Sequence, residues 1–295
     1  MQHQTHLKCR TGARLTAVSA AVLGVLALAA FALGISGLHP AAAVWRHMLF
    51  AAGVLPLILG AMLYFVPVLT RTASAPASML WLPAVAAVLG VLTVIALALQ
   101  PALVPLIALL ILLLVLVEAG WIWRRRNQTL GSAHAGVYWY LVALIFLLLA
   151  LAAVALRAVL WDYWPMLRKF HLHLNLLGFI GLTAIGTLRV LLPTALAVSD
   201  ATAITYLRTQ LKYVVVATLC VALGAAVWPP LSWFGAVVWL WPAVNLLKAT
   251  RRDRMHAMSA HHAAWPLAAA AVGWALVLAA GLAHGVGYLS ADTLM

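Results

Sequence analysis

The chain reads as a succession of apolar runs, each about 20 residues long, separated by short polar or basic breaks. Runs of that length match the thickness of a bilayer crossed by a helix, whereas a membrane β-barrel would show alternating segments of about ten residues. Nine runs are expected to be helices, at about 15–38, 45–69, 79–99, 102–123, 137–160, 168–195, 206–226, 231–248 and 263–289. Gln100-Pro101 separates the third from the fourth, and Pro229-Pro230 the seventh from the eighth. The first run has the rival reading of a secretory signal, with Ala41-Ala42-Ala43 as small residues for cleavage. It is longer than a typical signal core, so an uncleaved first helix is expected. The fold class is therefore all-α, a polytopic membrane protein with about nine transmembrane helices.

Composition sharpens this picture. The 295 residues are 66% hydrophobic and 8% charged, where a soluble domain carries about a quarter charged residues. The net charge of +13 raises nucleic acid as a partner. The basic residues sit in short loops between apolar runs, where they set topology, so nucleic acid is excluded and membrane lipids are the expected surroundings. Lys8, Arg10, Arg14, Arg71, Arg124 to Arg126, Arg208, Lys212, Lys248 and the 251–254 cluster fall on one face, against Arg46, Arg157, Arg168 and Lys169 on the other. The positive-inside rule then puts the amino terminus in the cytoplasm, most simply across a bacterial inner membrane. Cys9 and Cys220 stand far apart and form no disulfide framework or metal-ligand spacing.

An internal repeat changes the reading again. At an offset of 126 residues His47 falls on His173, Gly60 on Gly186 and Pro67 on Pro193. The fourth and eighth runs both end in arginines, and Ser132-Ala133-His134 resembles Ser259-Ala260-His261. A single transmembrane domain is expected, built from one four-helix unit at about 10–130, a second at about 136–256, and an extra helix at about 263–289. Repeated membrane units commonly place a site between equivalent helices.

Candidate chemistry concentrates in Lys169-Phe170-His171-Leu172-His173-Leu174-Asn175, at the head of the sixth run. Ionisable groups at membrane depth are functional candidates. Residues two apart on a helix point about 200° from one another, so His171 and His173 face opposite sides. His47 and His173 are expected at equivalent depth near the outer ends of equivalent helices. Two imidazoles from two membrane helices are what a six-coordinate b-type haem needs, with apolar walls to hold the porphyrin. Haem propionates need cations, and Arg46, Arg168 and Lys169 adjoin the histidines. The alternative is that these three reach to lipid headgroups.

A histidine in the second helix and a His-x-His at the head of a later equivalent helix resemble the haem-copper oxidase subunit I superfamily, including the NnrS family of haem- and copper-containing membrane proteins. The resemblance covers the second and sixth runs and the four-helix repeat. It implies that His47 and His173 ligate one haem and that His171 serves a second metal or haem. The chain departs from those oxidases in having nine expected helices rather than twelve. His261-His262 resembles their copper-binding pair but falls at the opposite membrane face from His171. A His-x-x-x-Tyr pattern and a row of acidic residues for proton uptake are absent.

Of the remaining polar residues, His39 and His284 are expected on the face of His171, where the three histidines suit copper or a second haem. The bland alternative is interfacial histidines bonded to water or carbonyls. Arg189 and Glu118, both expected inside spans, are read as an ion pair. Trp161-Asp162-Tyr163-Trp164 is read as part of an aromatic belt just before His171. The function expected is haem-based electron transfer, or a role in nitric oxide and denitrification-related stress, with a redox partner or oxidase complex. The alternatives are a factor delivering haem or copper to a terminal oxidase and a small-molecule transporter.

Overall fold

The computed structural model describes residues 42–197, 200–248 and 264–285. Among these every regular element is helical. Eight helices are long and apolar enough to cross a membrane: α1 (Ala43–Thr70), α2 (Ala77–Leu99), α3 (Pro101–Asn127), α4 (Ala135–Leu156), α5 (Trp161–Ala195), α6 (Thr202–Ala226), α7 (Pro229–Lys248) and α8 (Ala264–Ala283). The chain is a multi-pass helical membrane protein. The expected first helix at 15–38 lies outside the described residues.

Proline and arginine mark the helix ends. Pro83, Pro105 and Pro165 each sit in the first turn of an α-helical stretch, where the missing N–H would be unpaired in any case. Arg124, Arg125 and Arg126 occupy the last turn of α3, where positive charge complements the helix dipole. α5 begins earlier than the expected 168. Its first turn is a 3-10 turn, Trp161–Tyr163, which leads through Pro165 into the helix. Trp161 to Trp164 therefore open the helix that carries His171 and His173.

Two compact units divide the chain. One runs through Ala133 and takes in Val154–Val159, and the other comprises His134–Ala153 and everything from Leu160. In the first unit α1 and α2 pack closely at Gly90, where a Cβ would lie 2.2 Å from the carbonyl oxygen of Ala51. Small residues of this kind let membrane helices meet backbone to backbone. Many large apolar side chains of this unit point outward, among them Val88, Leu92, Ile95 and Leu113. That is the surface a lipid-solvated helix presents.

In the second unit α6 and α7 form a hairpin of the same kind. A Cβ on Gly235 would lie 2.6 Å from the Ala217 carbonyl oxygen. Two fully buried indoles tie helices to this hairpin. The Trp139 N–H of α4 donates to the Leu207 carbonyl of α6 at 2.9 Å, and the Trp239 N–H of α7 donates to Thr218 of α6 at 2.9 Å. Trp239 also meets Trp274 of α8 edge-on, with ring centroids 5.8 Å apart. Tyr140 of α4 and Thr187 of α5 share a hydroxyl–hydroxyl bond of 2.9 Å. Each bond removes a polar group that would be costly in an apolar interior.

Candidate functional site

α1 is not a uniform α-helix. His47 lies in an α-helical stretch, Ala42–Leu49, followed by a π-helical turn, Phe50–Val54, before the α-helix resumes at Leu55. The Nδ1–H of His47 donates to the Ala43 carbonyl, one turn back, at 2.7 Å. A carbonyl only accepts, so the proton of the neutral ring sits on Nδ1 and the lone pair on Nε2.

α5 builds the same arrangement. His173 ends the stretch Trp164–His173 and is followed by a π-helical run, Leu174–Gly181. Its Nδ1–H donates to the Lys169 carbonyl, again one turn back, at 2.8 Å. Adding 126 to Phe50–Val54 gives 176–180, which lies inside Leu174–Gly181. Both histidines are half-buried. π-Turns insert one extra residue into an α-helix and frequently occur at functional sites.

A further pair of positions shares the offset. Among the described residues the non-glycine positions with positive φ are Arg71 and Ala197, both at 52°, and they too are 126 apart. Each follows a helix with a proline inside its last turns, Pro67 and Pro193. Left-handed backbone costs a non-glycine residue about 1–2 kcal/mol.

His171 differs from His173. Its Nδ1–H donates to the Ala150 carbonyl of α4 at 2.9 Å, and the Asn175 amide donates to the His171 carbonyl at 2.9 Å. His171 thus fastens α5 to α4, while His173 bonds back along its own helix. The two histidines have different partners, one on a neighbouring helix and one on their own. Arg46 is half-buried, whereas Arg168 and Lys169 are exposed. His284 lies on the last of the described helices, Ala264–Gly285. His39, His256, His261 and His262 fall outside the described residues. His134 accepts the Gly136 N–H at 3.1 Å, at the start of α4. Among the described residues no three His, Cys, Asp or Glu side chains form a cluster able to hold a metal ion.

The expected Glu118–Arg189 pair is corrected. Arg189 pairs with Asp200 inside its own unit. The α5 helix ends at Ala195 and α6 begins at Thr202, and this short reversal returns a carboxylate to the guanidinium. A second guanidinium nitrogen donates to Thr202 at 2.8 Å, and the group lies 5.1 Å from the centroid of the Tyr206 ring. Asp200 also accepts the backbone N–H and hydroxyl of Thr202, at 2.9 and 2.6 Å. Burial works to raise the Asp200 pKa. The hydrogen bonds from Arg189 and Thr202 and the guanidinium charge outweigh it, holding the carboxyl well below the usual carboxylate range. Sequence reasoning missed this cluster, although Asp200-Ala201-Thr202 is the spacing of an Asx turn. Glu118 is fully buried, and neither of its carboxyl oxygens has a hydrogen-bond partner among the described residues.

The donor chemistry of the two histidines fits a haem. An imidazole that donates through Nδ1 and offers Nε2 is the arrangement by which second-shell bonds fix a metal-binding tautomer. No family model, curated protein or solved structure matches the chain.

Proposed function

We propose that this protein is an integral membrane b-type haem protein, with His47 and His173 as the iron ligands. The observation that carries the reading is the duplicated module: a histidine bonded through Nδ1 to the carbonyl one turn back, then a π-turn, at a repeat of 126 residues. A haem would supply one-electron redox chemistry. The chain would supply the rest. The Ala43 and Lys169 carbonyls orient the rings, the apolar helices exclude water, and Arg46, Arg168 and Lys169 meet the propionates. On this reading the chain is two tandem four-helix units plus a ninth helix, and it resembles the haem-copper oxidase subunit I and NnrS-like group. Its role would be electron transfer or nitric oxide and denitrification-related stress, in a bacterial inner membrane with a cytoplasmic amino terminus.

The test is an absorption spectrum of protein purified in detergent, oxidised and then reduced with dithionite. Sharp α and Soret bands with one haem per chain support the reading. A colourless, iron-free protein from cells supplied with haem overturns it.

A further inference from the structure

At one end of the second unit, α5, α6, α7 and the turn between α5 and α6 line an open cavity of about 670 Å³. It is independent of the histidines and lies in the size range of small-ligand sites, roughly 300–1,000 Å³. Its wall carries Arg189 and Asp200 from the buried pair, Thr205 and Gln210 from α6, and Asn245 and Lys248 from α7. Arg189 and Lys248 only donate, Asp200 only accepts, and the amides of Gln210 and Asn245 do both. Asp200 neutralises Arg189, and Lys248 is the second cation of the wall.

Two polar atoms beside the cavity lack partners among the described residues. Arg189 Nε–H has no acceptor, and Gln210 Oε1 has no donor. The Arg189 side chain is 5% exposed. Buried polar groups are otherwise paired in folded proteins, so such orphans ask for an occupant. The occupant must accept from the cations and amides and donate to Gln210. The terminal torsion of Gln210 is soft, so its amide adapts to an occupant.

A phosphate ester carrying hydroxyl groups meets both demands. The phosphate oxygens accept charge-assisted bonds from Lys248 and Arg189, and a hydroxyl donates to Gln210. The exposed apolar residues Ile204, Trp241 and Val244 are neighbours in sequence of this wall on α6 and α7. They offer acyl chains a surface that a free phosphate ester would not use. We infer that the cavity between α5, α6 and α7 binds the phosphoglycerol headgroup of an anionic phospholipid.

Native mass spectrometry of the full chain in detergent, titrated with phosphatidylglycerol, phosphatidylcholine or glycerol 3-phosphate, tests this. Phosphatidylglycerol is expected to bind at one site at least fivefold tighter than phosphatidylcholine, whose choline has no N–H or O–H to donate. Lys248→Gln and Gln210→Leu are each expected to weaken that binding at least fivefold. Lys212→Gln removes a cation of α6 that does not line the cavity and is expected to change it less than twofold. Both α6 variants are compared with the parent by thermal melting, and a Gln210→Leu protein that melts early is replaced by Gln210→Glu, which repels the phosphate. Equal binding of the two lipids, or an equal loss with Lys212→Gln, overturns the inference. Glycerol 3-phosphate binding as tightly as the lipid overturns the assignment to a membrane lipid.

Discussion

Arg189 and Asp200 form a buried ion pair across the turn between α5 and α6, with Thr202 bonded to both side chains. Removing one partner leaves the other charge buried and uncompensated, which costs roughly 3–5 kcal/mol. Arg189→Met and Asp200→Asn are each expected to lower the melting temperature clearly, and the double variant Arg189→Met/Asp200→Asn to lose less than the sum. A double-variant loss equal to the sum would remove the pair as the cause.

The same pair carries a pH signature. The folded-state pKa of Asp200 lies below its ordinary value, so its contribution to stability is fully present above an unfolded pKa of about 4 and fades as pH falls below it. The melting gap between the parent and Asp200→Asn is therefore expected to be constant from pH 7 to about 5 and to shrink below about 4. A gap that widens in acid would contradict the assignment.

Close helix contact makes its own prediction. Gly90 and Gly235 each meet a neighbouring backbone carbonyl where a side chain would stand, and backbone has no rotamer with which to yield. Gly235→Leu is expected to force α6 and α7 apart and reduce the yield of detergent-stable protein severalfold. Gly120, which has no atom within 4 Å of a would-be Cβ, is expected to accept alanine without loss.

Much of this fold was legible because membrane helices advertise themselves by length. The runs at 79–99 and 206–226 end where α2 and α6 end. The start of α5 was not legible. The expected run begins only at 168, because Asp162 and Pro165 interrupt the apolar pattern, although Pro165 is the first-turn residue that begins the helix. His47 and His173 were visible as a pair through the 126-residue offset. The π-turns after them were not, because a π-turn is a shift in backbone pairing that leaves no mark on an apolar sequence. Arg189 was given Glu118 because only acidic residues inside spans were considered. Asp200, 11 residues away across a turn, was closer along the chain and outside the membrane run.

The basic residues beside the histidines test the propionate contacts. If Arg168 pairs with a propionate, the contact is worth roughly 1.5–3 kcal/mol, and a nearby positive charge favours the reduced iron. Arg168→Gln is then expected to lower the midpoint potential and weaken haem retention with the coordination spectrum intact. An unchanged potential at full haem occupancy would assign Arg168 to lipid headgroups instead.

The most direct measurement is the reduced absorption spectrum of His47→Ala, His173→Ala and His171→Ala beside the parent. Loss of the low-spin α band in the first two variants, with the band largely kept in His171→Ala, is the predicted result. His171 bonds to Ala150 through the nitrogen that His173 uses on Lys169, so the three rings share a tautomer and differ in where they point. Bleaching by His171→Ala, with the band intact in His173→Ala, would contradict the ligand assignment.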